Sequence, residues 1–345
     1  MGVRDEILEQ PAVVQRLLDA GWGDIERAAR AIAGRNVSYA MIAARGTSDH
    51  AGMYAQYIWG VYNRLPVALA APSLISMYGA SPRLHDALVV GISQSGRSPD
   101  ILGVVAEGKR QGALTLAITN DTASPLAETA ELVLSIDAGP EKAIAATKTY
   151  TATLCILAAL SAALAHDAER QADLCRVPEA MEKALGLEAV AQQVAEEQRA
   201  MTRCVVLGRG YNFASAHEWA LKLKELAYVL ADPYSAADFQ HGPIAIVEGE
   251  FPILAIVPRG AVYADMLALL HQLRDELHAN LVVISDSDEA TALAGAAFRI
   301  PSGIPEWLTP LVTVLPAQLY CYHLTRAKGY DPEAPRGLHK VTLTQ

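Results

Sequence analysis

Ala87-Leu-Val-Val-Gly-Ile-Ser-Gln-Ser-Gly-Arg-Ser-Pro-Asp100 decides how the rest of the chain is read. Its first part, Ala87–Ile92, is an apolar run rich in β-branched side chains, the pattern of a strand buried on both faces. The run stops at Ser93. Ser98, Pro99 and Asp100 then supply an N-cap, a proline for the first helical position and an acid for the first turn, with Ile101, Val104 and Val105 on one face behind them. A helix is therefore predicted from Ser98 to Gly112, with Lys109 and Arg110 in its last turn. Between strand and helix lie Ser93, Gln94, Ser95 and Gly96, compact or hydrogen-bonding residues beside the unpaired N–H groups of a helix N-terminus. Such a turn is a cup for an anion, above all a phosphate. Two rivals fail on spacing. A nucleophile elbow needs G-x-S-x-G, but Ser95 stands in place of the last glycine, and a Walker loop needs a lysine that this turn lacks.

Strands and helices alternate on both sides of this stretch. Upstream, a helical segment to about Gly34 carries Val13, Val14, Leu17, Leu18 and Trp22 at roughly helical spacing. Residues 38–44 read as a strand, Arg45-Gly-Thr-Ser48 as a turn, 49–62 as a helix, 67–70 as a strand and 73–78 as a short helix. Downstream, 113–119 and 130–135 read as strands and 145–165 as a long apolar helix. The second half repeats the first. Residues 203–207 lead into Gly208-Arg-Gly-Tyr211 and a helix to about Leu230, and 251–257 lead into Pro258-Arg-Gly260 and another helix. Gly46 aligns with Gly210, and Gly96 with Gly260, at one offset of 164 residues; Leu114–Thr119 matches residues 281–285 at nearly the same offset. Two tandem α/β units follow, each a parallel sheet with helices on both faces, in a flavodoxin-like three-layer sandwich. Ligands in such folds sit beyond the carboxyl ends of the strands. Gly208-x-Gly210 is not a dinucleotide fingerprint, since Phe213 takes the third glycine's place. The expected segmentation is a helical segment 1–30, a first domain 31–167, a helical connector 168–200, a second domain 201–330 and a tail 331–345.

Composition narrows the function. With 52% hydrophobic and 19% charged residues the 345-residue chain reads as an ordinary compact protein. A net charge of −10 argues against general affinity for nucleic acid or anionic membrane. Cys155, Cys175, Cys204 and Cys321 lie far apart with no C-x-x-C spacing, so neither a zinc site nor a disulfide framework is expected and a reducing cytoplasm fits. The first ten residues lack the apolar core of a signal peptide, and the longest apolar span, 152–165, is too short to cross a membrane.

Ionisable residues concentrate between Glu218 and His241. Trp219, Leu223, Leu226 and Leu230 form the apolar face of a helix, with Glu218, Lys222 and Glu225 on the adjoining stripe. The following segment places His241 in a loop before Gly242 and Pro243.

Arg45-Gly-Thr-Ser48, Ile92-Ser-Gln-Ser-Gly96, Ala146-Thr-Lys148, Ala220-Leu-Lys-Leu-Lys-Glu225, Gln240-His-Gly-Pro243 and Pro335-Arg-Gly-Leu-His-Lys340 together resemble the double sugar isomerase (SIS) domain family. The likeness is to the isomerase half of glucosamine-6-phosphate synthase and to stand-alone glucosamine-6-phosphate deaminases and fructosamine-6-phosphate deglycases, and runs from about residue 30 to the end. The resemblance implies that Thr47, Ser48, Ser93, Gln94, Ser95 and Ser98 bind the substrate phosphate. It assigns Glu225 the proton shuttle between C1 and C2, with Lys222 beside it, and His241 ring opening in the active site of a second subunit. Lys340 becomes the lysine that closes over the sugar and can form a Schiff base. Arg45, Ala146 and Glu218 are candidate sugar contacts; Ala146 stands where the synthase has a serine, and Arg45 where it has a cysteine. The implied chemistry needs no metal or organic cofactor. Without a glutaminase domain ahead of it, the expected direction is hydrolysis of glucosamine 6-phosphate to fructose 6-phosphate and ammonia, in a cytoplasmic homodimer with shared active sites. The alternatives are a deglycase, a plain aldose–ketose isomerase, or a sensor that binds sugar phosphate without turnover.

Overall fold

The structure, a computed structural model, describes residues 2–338 and 340. Its described strands form two sheets, parallel throughout. The first contains β1 (Tyr39–Ala43), β2 (Val67–Leu69), β3 (Ala87–Ile92), β4 (Leu114–Thr119) and β5 (Leu132–Ser135), in the order β2-β1-β3-β4-β5. The second contains β6 (Arg203–Gly208), β7 (Leu230–Ser235), β8 (Pro252–Ile256), β9 (Asn280–Ser285) and β10 (Ala296–Arg299), in the order β10-β9-β8-β6-β7. Numbered within each half, the two orders are the same. The tandem α/β reading holds, and so does the doubly wound topology it implies.

That order fixes where a ligand can bind. From β1 the chain crosses to β2 on one side and then to β3 on the other, and β1 pairs with both. The loops leaving β1 and β3 therefore diverge above adjacent strand ends, opening a crevice at the switch in strand order. β6 and β8 repeat the arrangement. Both central strands β3 and β4 are buried along their whole length, as the apolar run predicts. Around β3, Val89 packs with Ile101, Val104, Val105 and Leu126 from helices on its face. In the other half, Val205, Leu207, Ile253 and Val283 pack with Phe239, Leu269 and Leu273.

Residues 12–141, 148–175 and 340 form one compact unit, around β1–β5; residues 2–11, 142–147 and 176–338 form the other, around β6–β10. The main departures of local boundaries from the sequence reading are at the helix ends near residues 226 and 148. The helix expected to reach Leu230 ends at Leu226, Tyr228 takes a left-handed φ of 53°, and Leu230–Ser235 is strand β7. Among the described residues β7 is an edge strand paired only with β6, which is why Pro233 is tolerated there. The helix expected from residue 145 starts at Lys148. The stretch 168–200 is three helices, Ala168–Leu174, Val177–Leu185 and Glu188–Glu197, and the N-terminal segment is two, Val3–Leu8 and Gln10–Ala33.

Candidate active site

The first candidate feature is the crevice above β1 and β3. After β1, Gly46 (φ 54°) turns the chain into the helix Thr47–Asn63, placing Thr47 and Ser48 in its first turn. After β3, residues 93–96 form a tight turn: the Gly96 N–H donates to the Ser93 Oγ at 3.1 Å, and Gly96 takes φ 62°. The Gln94 carbonyl accepts from the Asn120 N–H at 3.1 Å, which pins the turn to the end of β4. Ser98 is the N-cap of the helix Pro99–Arg110, yet its hydroxyl makes no capping bond. The loop hydroxyls thus gather beside two helix N-termini whose first N–H groups lack intrahelical acceptors.

A cross-brace joins the two loops. Arg45, half-exposed, donates through Nε to Oδ2 of the fully buried Asp100 at 2.7 Å. Asp100 also accepts its neighbour Ile101's N–H at 2.9 Å, so this first-turn acid serves both its helix and the loop after β1. Burial pushes the Asp49 carboxyl up, against the opposing pull of His50 and Arg45.

The second feature lies in the other unit, on the helix Phe213–Leu226. Lys222 Nζ stands 2.6 Å from Glu225 Oε2 and 3.3 Å from Glu218 Oε1. This is not the solvated charge stripe that E-x-x-x-K-x-x-E usually makes. The side chains of Glu218 and Lys222 are 0% and 2% exposed, while Glu225 keeps 24%. Burial alone would drive the Lys222 ammonium down, but the charges and hydrogen bonds of Glu218 and Glu225 outweigh it and hold its pKa well above an ordinary lysine's. Lys222 is therefore a fixed cation, and Glu225 is the one member of the triad that solvent or a ligand can reach.

The remaining predicted residues fall at three places. His241 is exposed at the end of the helix Ala236–Gln240, with no bond to the triad on its own unit. Lys340 Nζ lies 2.7 Å from Oε2 of Glu141, whose side chain has no exposure. Ala146 lies in the short segment 142–147, which is anchored by the buried carboxylate of Glu6: Glu6 Oε1 accepts the Lys142 N–H at 2.5 Å and the Ala143 N–H at 3.3 Å.

A model of the SIS domain matches residues 35–163 and again residues 199–327. The chain belongs to the SIS-domain family. It is 33% identical over 351 residues to the isomerizing glutamine–fructose-6-phosphate aminotransferase of Thermococcus kodakarensis, with 99% of this chain and 57% of that protein covered. The chain thus spans a little over half the length of that relative. Among solved structures, it is similar to a candidate phosphosugar isomerase from Silicibacter pomeroyi DSS-3, with TM-score 0.83 and 35% identity over 96% of this chain and 99% of that one. It is also similar to the C-terminal domain of glucosamine-fructose-6-phosphate aminotransferase from Francisella tularensis, with TM-score 0.87 and 27% identity over 95% and 96% of the two chains.

Within this double-SIS frame, two positions that the sequence reading passed over become visible. Glu141 is one: it holds Thr149 by its N–H at 3.1 Å and its hydroxyl at 2.9 Å at the start of the helix Lys148–Leu164, and it holds Lys340 as well. Its signal was an acid a short loop ahead of an apolar helix. Glu6 is the other, and nothing in its local sequence marks it. Among the described residues, no group of three or more His, Cys, Asp or Glu side chains is placed to hold a metal ion, and no helix is long and apolar enough to cross a membrane.

Proposed function

We propose that this chain is a phosphosugar isomerase-type enzyme that deaminates an aminosugar phosphate, glucosamine 6-phosphate, giving fructose 6-phosphate and ammonia. The buried Glu218–Lys222–Glu225 triad carries the reading. A module that only binds sugar phosphate has no use for a carboxylate fixed by a buried ammonium and left open on one side; a proton shuttle does.

The substrate's phosphate is assigned to the cup above β1 and β3. Thr47, Ser48, Ser93, Gln94, Ser95 and Ser98 with the two helix N-termini meet the phosphate, and Arg45 adds a positive charge. His241, exposed and free of its own triad, fits ring opening in a second copy's site, making a homodimer the working form. Once the ring is open, Glu225 removes the C2 proton and returns it to C1, and the 2-amine becomes a ketimine. Water adds at C2 and ammonia leaves, so that aminosugar phosphate plus water balances ketose phosphate plus ammonia. Glu225's partial exposure lets that water in. Lys222 keeps the carboxylate oriented through Oε2. The four free cysteines fit a reducing cytoplasm.

The test is release of ammonia and fructose 6-phosphate from glucosamine 6-phosphate by purified protein. Equal amounts of both products, with kcat lowered about 10²–10⁴-fold in Glu225→Gln, support the reading. Ketose formation without ammonia from a plain aldose phosphate would move the assignment to an isomerase. Release of an amine from a fructosamine 6-phosphate would move it to a deglycase.

A further inference from the structure

The second SIS domain repeats the geometry of the first at its switch point. Gly210 follows β6 with φ 60°, as Gly46 follows β1 with φ 54°. Arg209, just before Gly210, pairs with Asp265 at 3.1 Å on the helix after β8, as Arg45 pairs with Asp100 on the helix after β3. The two loops are thus built and braced alike, but their contents differ. The second carries Gly210-Tyr-Asn212 and Arg259-Gly-Ala-Val262, with no serine or threonine. Two of its backbone donors, the N–H groups of Arg259 and Ala261, are taken by the chain's own carboxylates.

Glu306 Oε2 accepts the Ala261 N–H at 2.7 Å, and Asp286 Oδ1 accepts the Arg259 N–H at 2.7 Å. Any side chain on Gly260 would run into the Glu306 carboxyl, and a Cβ on Gly210 would stand 4.0 Å from its Oε1. A carboxylate therefore lies between the two glycine loops, where the first domain leaves a cup. Glu306 arrives there from the turn ahead of the helix Thr309–Ala327, three residues before its first residue. At the matching sequence position, three before the helix Lys148–Leu164, the chain has Ala145, which carries no carboxylate.

We propose that the second SIS domain contains an anion cup that the chain fills with its own Glu306, so that each chain offers one cup, in the first domain, to a phosphate. Glu306 is a built-in phosphate surrogate: a carboxylate on the backbone N–H of Ala261, between two loops that carry Arg209 and Arg259 in their sequence. The duplication then yields one substrate site, because a side chain takes the place that a second phosphate would hold. Removing that side chain uncovers a site for a phosphate dianion.

The inference rests on the phosphate reading of the first cup, and the experiment separates the two. Radiolabelled inorganic phosphate is counted by equilibrium dialysis against the full chain, with folding of every variant checked by circular dichroism. Unmodified protein and Glu306→Gln, which keeps an acceptor in place, are each expected to bind one phosphate per chain. Ser48→Ala/Ser95→Ala is expected to bind none, and the same variant carrying Glu306→Ala to bind one again. Glu306→Ser opens the same space and serves if the alanine variant does not fold. A gain of one phosphate over the parent supports the plug whatever the first cup does. A folded Glu306→Ala or Glu306→Ser variant with no gain, or two phosphates on the unmodified chain, overturns it; phosphate binding that survives Ser48→Ala/Ser95→Ala with Glu306 intact counts against the first cup alone.

Discussion

The ammonium of Lys340 stands 2.7 Å from Oε2 of Glu141, a carboxylate with no solvent exposure that also accepts the N–H and hydroxyl of Thr149. The tail lysine is thus held by the acid that organises the start of the helix Lys148–Leu164. A buried carboxylate that loses its cation keeps its desolvation cost, so Lys340→Ala should lower stability by about 1–3 kcal/mol in urea unfolding. Glu141→Gln should cost a similar amount and also lower turnover if Lys340 acts on the sugar. Because one bond underlies both losses, the double variant should show a coupling of roughly 0.5–3 kcal/mol. Additive losses would remove the pair from the account of this site.

Lys222 makes a larger prediction. Replacing it by methionine leaves Glu218 and Glu225 facing each other with the buried cation gone, a change of the kind that costs about 3–5 kcal/mol. The pH dependence follows from the direction of its shift. A lysine raised in the folded state binds its proton more tightly there than when unfolded, so its contribution is complete below the ordinary value of 10.5 and is lost as pH climbs above it toward the folded value. Unfolding free energy of the unmodified protein should therefore fall with pH above about 10.5, and Lys222→Met should lack that part of the decline. Parallel alkaline profiles for the two proteins would contradict the buried triad.

The fold was legible wherever a strand is buried on both faces, because β3 and β4 leave an uninterrupted apolar run that no loop would carry. β7 was not: an edge strand meets solvent along one side, so Asp232 and Pro233 carry no penalty there and mask it as a loop. The helix start at Pro99 could be read from Ser98-Pro-Asp100, since a proline at the first helical position and an acid in the first turn are signals local in sequence. The burial of Glu218 and Lys222 could not, because helical spacing gives neighbours on a stripe but not what covers the stripe. Glu141 and Glu6 were hidden for a further reason. Their partners lie 199 residues away at Lys340 and 136 residues away at Lys142, and no periodicity reports such a pairing.

Two glycines of the cup should respond differently to the same substitution. Gly46 sits at φ 54° with nothing close to the position a Cβ would take, so Gly46→Ala should cost only the backbone strain, about 1–3 kcal/mol. Gly96 sits at φ 62°, and its Cβ would collide with the Ser124 side chain, which caps the helix Pro125–Thr129 by accepting from the Ala127 N–H. Gly96→Ala should therefore be the more damaging by thermal unfolding, and Gly96→Ala/Ser124→Gly should recover part of the difference. Equal losses at the two glycines would show that conformation alone, not packing, selects them.

Arg45 joins stability to substrate affinity. Its Nε bond to Asp100 braces the loop after β1 against the helix after β3, and Asp100 is fully buried. Arg45→Ala strips that carboxylate of its guanidinium, a loss of about 1–3 kcal/mol. Lysine is no equivalent, since an ammonium cannot bond Asp100 and keep a second donor edge toward the crevice. If Arg45 also adds charge to the phosphate cup, Arg45→Lys should raise KM for the sugar phosphate while leaving kcat near its starting value, the mark of binding shared by ground and transition states. The rise should shrink at high salt, where exposed charge is screened. A variant that loses stability with KM unchanged would make Arg45 a brace between the two loops and nothing more.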